Sequence, residues 1–138
     1  MKILIGCEES QRVCMEFRKL GHDAYSNDIQ ECSGGYPEYH IQGCIFEALK
    51  MEKWDMLIAF PPCTYLSNAG ACRLFPGGQL NQERYKKGLI AADFFMKLYN
   101  APIKHVALEN PTPSRIYNLP ESTQVIQPYE FGERYSKR

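Results

Sequence analysis

Short, continuous apolar runs alternate with segments of helical period along this chain. Ile3, Leu4 and Ile5 predict a strand over 2–6, almost at the N-terminus. Val13, Cys14, Phe17 and Leu20 then recur on one helical face, with Ser10 placed to cap that helix and Gly21 to stop it. A second strand is expected over 22–28, a loop punctuated by Gly34, Gly35 and Pro37 over 29–38, a short third strand over 39–42, and a brief helix over 46–51. Met56 to Phe60 is the apolar part of a fourth strand over 55–60. The stretch 64–78 has little periodicity and reads as a long loop, the kind that often binds ligand or closes over it. Tyr85, Leu89, Ala92, Phe95, Met96 and Tyr99 stripe a helix over 81–100, with Pro102 after its end. A fifth strand covers 105–108, and the Pro-punctuated remainder holds one more at 123–127.

Strands alternating with helices predict an α/β fold, a mostly parallel sheet with helices on both faces. The 138 residues suit a single domain, without internal repeat or low-complexity tract. In such a sheet, ligands bind beyond the carboxyl ends of the strands. The reactive residues fall there: Cys7-Glu8-Glu9-Ser10 after strand one, Asp28 after strand two, Cys63 after strand four and Glu109 after strand five.

Composition narrows the partners. Lys+Arg and Asp+Glu are 16 each, so no overall basic field grips phosphate, although a local patch around Arg73, Arg84, Lys86 and Lys87 is available. The six cysteines lie far apart, without a C-x-x-C pair, and no secretory h-region precedes them. They are expected to be reduced cytoplasmic thiols, with no metal site, and no run approaches a membrane span.

Asp28 lies 22 positions after Gly6, the spacing at which a carboxylate commonly takes ribose hydroxyls. The first turn itself, Gly6-Cys7-Glu8-Glu9-Ser10, has one glycine and two acids, which would repel a pyrophosphate. S-adenosylmethionine carries no phosphate and two cationic groups, so it suits this turn better than a dinucleotide. A thiol from Cys63 and a carboxyl from Glu109 are the minimum equipment for adding to a pyrimidine ring: sulfur attacks carbon 6 while the acid protonates nitrogen 3. Cys63 read alone is a small buried hydrophobe, and Glu109 alone a structural carboxylate.

Pro61-Pro62-Cys63-Thr64-Tyr65-Leu66-Ser67 and Ala107-Leu108-Glu109-Asn110-Pro111, together with the Gly6 turn and Ile126-Gln127-Pro128-Tyr129-Glu130-Phe131-Gly132, resemble the DNA cytosine carbon-5 methyltransferases, in particular a compact phage- and prophage-associated branch. The resemblance implies a Rossmann-like, S-adenosylmethionine-dependent methyltransferase fold. It makes Cys63 the nucleophile and Glu109 the ring-nitrogen acid. It gives the cofactor Gly6, Cys7, Glu8 and Ser10 in the first turn, with Asp28, Ile29, Cys44 and Pro61, and it gives the DNA substrate Pro62, Asn110 and Arg73. Three departures accompany it. Cys7-Glu8-Glu9 replaces a glycine-rich turn, Cys44 stands where the family has an acid, and the chain stops at Arg138 without a target-recognition region, a Gln-x-Arg-x-Arg element or a last apolar strand. The likeness therefore implies a truncated form with an incomplete sheet edge. Two functions fit: a DNA methyltransferase that flips cytosine from the duplex, or a non-catalytic domain kept for cofactor binding or interaction. An amino-group methyltransferase fits less well, because Cys63 stands where that class has a stacking aromatic residue.

Overall fold

The structure, a computed structural model, describes residues 1–136. The expectations tied to the chain end at Lys137 and Arg138 lie outside the described residues. Five strands, β1 (Lys2–Gly6), β2 (Asp23–Asp28), β3 (His40–Gln42), β4 (Met56–Ala59) and β5 (His105–Leu108), form one sheet in the order β3-β2-β1-β4-β5, parallel throughout. Helices α1 (Arg12–Lys19), α2 (Ile45–Met51), α3 (Ala71–Leu74) and α4 (Gln82–Tyr99) complete the regular structure, with short 3-10 turns between. The fold is thus α/β with a parallel sheet flanked by helices, and β5 is one of its edges.

The chain divides into two compact units. Unit 1 is Met1–Pro62 with Asp93–Asn110; unit 2 is Cys63–Ala92 with the described residues from Pro111 onward. The whole sheet lies in unit 1. Alternation along β1 sorts its apolar residues between two cores. Leu4 joins Leu57 and Ala59 of β4, Ile45 and Ala48 of α2, Trp54 and Leu98 on one side. Ile3 and Ile5 join Ala24 and Cys14 of α1 on the other, with Val13 and Phe17 packed against them. The indole of Trp54 donates to the carbonyl of Ala48 (3.0 Å), which satisfies its one polar group inside the first core.

Several expectations need correction. Residues 123–127 form no strand: Val125 is 69% exposed, Ile126 lies out in solvent as well, and a strand without a neighbouring ladder has nowhere to send its backbone bonds. The stretch 64–78 is not a bare loop but a chain of helical turns, 3-10 at Asn68–Gly70 and Pro76–Gly78 around α3. The first helix ends at Lys19, which leaves Leu20 exposed. On α4 the buried line is Gly88, Ala92, Phe95 and Leu98, while Leu89 and Tyr99 face solvent. No helix among the described residues is long and apolar enough to cross a membrane.

Candidate functional site

The parallel ladder carries on for one step past each strand. The amide of Glu8 donates to the carbonyl of Asn27 (3.0 Å), that of Gly43 to Asp28 (2.8 Å), that of Phe60 to Gly6 (3.0 Å) and that of Glu109 to Ala59 (3.0 Å). Within unit 1 this row of bonds sets the exits of all five strands side by side. Gly6, Cys7, Glu8, Ser10, Asp28, Ile29, Cys44, Pro61, Pro62, Glu109 and Asn110 all leave from that one edge of the sheet. Cys63 and Arg73 belong to unit 2.

The first turn is built more tightly than its sequence suggests. A Cβ on Gly6 would come within 2.1 Å of the Ile45 Cδ1 atom and 3.3 Å of the Ala59 Cβ, so any larger residue here has to displace the buried Ile45 side chain of α2. Cys7 and Gln11 both adopt left-handed backbone, with φ of 58°. Ser10 makes no cap bond; the carboxylate of Glu8 does that work, accepting the amides of Val13 (2.6 Å) and Cys14 (3.1 Å). Glu8 is buried, and burial holds its carboxyl above the usual range against the lowering effect of those two amides. The loop after β2 packs onto this turn. The amide of Ser33 donates to the Glu9 carbonyl (2.9 Å), the hydroxyl of Ser33 to the Glu9 carboxylate, and the fully buried Gln11 side chain exchanges two bonds with the backbone of Tyr36.

Beyond β2 the surroundings change. Asp28 is half-buried; its Oδ1 accepts the amide of Gln30 (3.0 Å), an Asx turn that leaves Oδ2 without a bonded donor among the described residues. Ile29 beside it is 76% exposed, and Cys44 across the β3 exit is exposed too. Burial pushes the Cys7 thiol up to about 11, with the Asp28 charge adding to the effect, so Cys7 is a protonated thiol at neutral pH. Asn27 was not among the expected site residues, yet its buried side chain donates to the carbonyls of Ile41 (2.7 Å) and Gly43 (3.1 Å) and fixes the exit of β3 against that of β2. Gln11 and Asn27 are polar side chains committed to the backbone of distant loops, which hydrophobic periodicity does not report.

Asn110, after Glu109, holds its side-chain Oδ1 buried without a hydrogen-bond partner among the described residues. Glu109 itself is exposed.

In unit 2 the carbonyl of Cys63 accepts the amides of Leu66 (3.0 Å) and Ser67 (2.9 Å), so the chain turns sharply after the thiol. That turn is tied to the segment after Pro111: Ser114 donates to Leu66 (2.7 Å), Asn68 to Thr112 (2.9 Å), and Ser67 bridges Pro113. Arg84 reaches back from α4 to the carbonyl of Thr64 (2.8 Å) and stacks over Tyr65, while Lys87 pairs with Glu83. Arg84 thus holds the loop in place, whereas the Lys87 pair lies within α4. Arg73 and Lys86 are exposed, with no ion pair among the described residues.

Neutral overall charge conceals a division. Unit 1 holds eight basic and twelve acidic side chains, whereas Cys63–Ala92 carries Arg73, Arg84, Lys86 and Lys87 against Glu83 alone. Among the described residues no group of three or more His, Cys, Asp or Glu side chains is arranged to hold a metal. Comparison of the chain with protein-family models, with curated proteins and with solved structures returned no match.

Proposed function

We propose that this chain methylates carbon 5 of cytosine in DNA, with Cys63 as nucleophile, Glu109 as acid and S-adenosylmethionine as methyl donor. One observation carries the reading: each unit, taken by itself, joins the two segments on which these residues lie. In unit 1 the exit of β4 is bonded to that of β5 through Ala59 and Glu109; in unit 2 the turn begun by Cys63 is bonded to Thr112–Ser114, just beyond Asn110 and Pro111.

The donor set at the sheet edge suits the cofactor. Asp28, with one free oxygen beside the exposed apolar side chain of Ile29, matches a ribose next to a flat base, and Cys7, Cys44 and Pro61 line the neighbouring exits. When bound, S-adenosylmethionine supplies an electrophilic methyl group. The protein's part is proton and electron-pair traffic on the pyrimidine. The sulfur of Cys63 bonds to carbon 6 as Glu109 gives its proton to nitrogen 3, which turns carbon 5 into a nucleophile. After methyl transfer a water molecule takes the proton from carbon 5, the electrons of that C–H bond restore the 5,6 double bond, the Cys63 sulfur is expelled as thiolate, and the nitrogen 3 proton returns to Glu109. The free Oδ1 of Asn110 is an acceptor for the exocyclic amino group. The exposed Arg73 and Lys86, without an ion pair among the described residues, favour a polyanion at unit 2, where base flipping has to be offset by contacts to the strand.

A second reading, a domain that binds cofactor or a partner without turnover, is favoured by the first turn: Glu8 is committed to capping α1, and the loop after β2 packs onto Glu9 and Gln11. Labelled S-adenosylmethionine with duplex DNA containing 5-fluorocytosine separates the two. The enzyme forms a covalent adduct that Cys63→Ala abolishes and Glu109→Gln slows by about 10²–10⁴-fold. Cofactor binding without any adduct decides for the second reading.

A further inference from the structure

Unit 2 contains an open cleft of about 470 Å³ that neither chemical role above uses. It is lined by the polar residues Asn68, Thr112, Ser114 and Arg115 and the apolar residues Phe75, Pro113 and Ile116. Arg115 is the one charged group among them, it is exposed, and no carboxylate among the described residues pairs with it. Ser114 is only 7% exposed, whereas Phe75 is a large aromatic residue 39% exposed at the cleft. An unpaired guanidinium beside hydroxyl and amide groups selects an anion with several oxygens. An aromatic face left in solvent selects a flat ring. The cleft lies within the size range of small-molecule sites, and both features together describe one nucleotide: phosphate on Arg115 and Thr112, base over Phe75, base edge toward Asn68.

From this geometry we infer that the cleft holds a nucleotide of the DNA strand, one that is not the target cytosine. This deepens the methyltransferase reading and rests on it for the identity of the strand. The lining segments are the ones bonded to each other through Asn68–Thr112 and Leu66–Ser114, so a strand seated here is held by the same backbone that fixes the turn after Cys63.

The test uses the full chain and a short fluorescein-labelled single-stranded oligodeoxynucleotide, read by anisotropy across a salt series. Arg115→Ala weakens binding about tenfold and lowers the salt slope by about 0.7, the share of one phosphate on a single strand. Arg115→Lys retains the slope. Phe75→Ala and the bulk-preserving Phe75→Leu each weaken binding about tenfold with the slope unchanged. Deoxycytidine monophosphate competes better than inorganic phosphate but worse than the strand. Thermal melts matching the wild type certify each variant as folded. The inference is overturned if wild type binds no strand, if folded Arg115→Ala and Phe75→Leu bind it like wild type, or if the mononucleotide binds as tightly as the strand, which would assign the cleft to free nucleotides. The 5-fluorocytosine adduct is read in parallel. Arg115-dependent strand binding without adduct supports the cleft and sinks the chemistry; adduct formation with Arg115-independent binding does the reverse.

Discussion

Gly88 sits in the middle of α4, where helix propensity alone favours alanine by about 1 kcal/mol. The packing argues the opposite. A Cβ there would lie 2.0 Å from the Tyr117 hydroxyl oxygen, 2.2 Å from its Cζ and 2.5 Å from its Cε1. Atoms do not approach so closely, so the ring has to move. It cannot move freely: Tyr117 is 7% exposed and stacks on Tyr85 with centroids 5.9 Å apart. Overpacking a fixed core site costs about 1–3 kcal/mol, more than the helix gains. Gly88→Ala is therefore expected to destabilise the protein by up to about 2 kcal/mol, the overpacking cost less the helix gain, measured as a lower urea midpoint at unchanged m-value. Removing the hydroxyl does not rescue it, because two ring carbons remain in the way; Tyr117→Leu in the same chain does, so the pair couples strongly in a double-mutant cycle. Tyr117→Phe alone should stabilise by about 1 kcal/mol, since its hydroxyl is buried without a partner among the described residues. A Gly88→Ala protein as stable as wild type would mean that the ring is not held against α4, and the reasoning fails.

Other predictions concern the first turn and the thiols. Glu8→Ala should cost about 1–2 kcal/mol by leaving two α1 amides uncapped, checked by urea unfolding at pH 7. Because burial holds the Glu8 carboxyl above its ordinary 4.5, the folded protein keeps a proton that the unfolded chain has released, so its contribution declines as pH rises through the window above 4.5. Wild type minus Glu8→Gln stability, plotted against pH, should fall there; a rise contradicts the assignment. Cys7 and Cys14 are both pushed from 9.0 to about 11 by burial, so stability should fall between pH 9 and 11 as the unfolded chain ionises first. At pH 8 alkylation followed by mass spectrometry should mark exposed Cys44 and Cys72 well before either; equal rates would refute this.

The sheet was legible where short continuous apolar runs mark the strands: β1, β4 and β5 lie within a residue of their expected bounds, and so the strand-end residues fall on one edge. The parts that could not be read depend on distant polar partners. Ser10 has the better cap chemistry, yet Glu8 caps α1 because the left-handed turns at Cys7 and Gln11 bring its carboxylate over the helix start. Gln11 looks like a surface residue until Tyr36, 25 positions away, takes both ends of its amide. Val125 and Ile126 have strand-forming side chains, but propensity without a ladder partner leaves them irregular and exposed. Arg84 looks like a phosphate ligand and is instead tied to Thr64 and Tyr65.

The hydrogen bonds that carry the ladder one step past the strands, from Gly43 to Asp28, Glu8 to Asn27, Phe60 to Gly6 and Glu109 to Ala59, all run between main-chain atoms. Main-chain groups survive almost any codon change, so apart from the Asn27 side chain the platform under the reactive edge depends little on which side chains stand on it. Laboratory evolution could therefore exchange Cys7, Ile29, Cys44 or Glu109 to explore new reactivity while the framework beneath keeps its shape, with Gly6 and Asn27 as positions where such freedom ends.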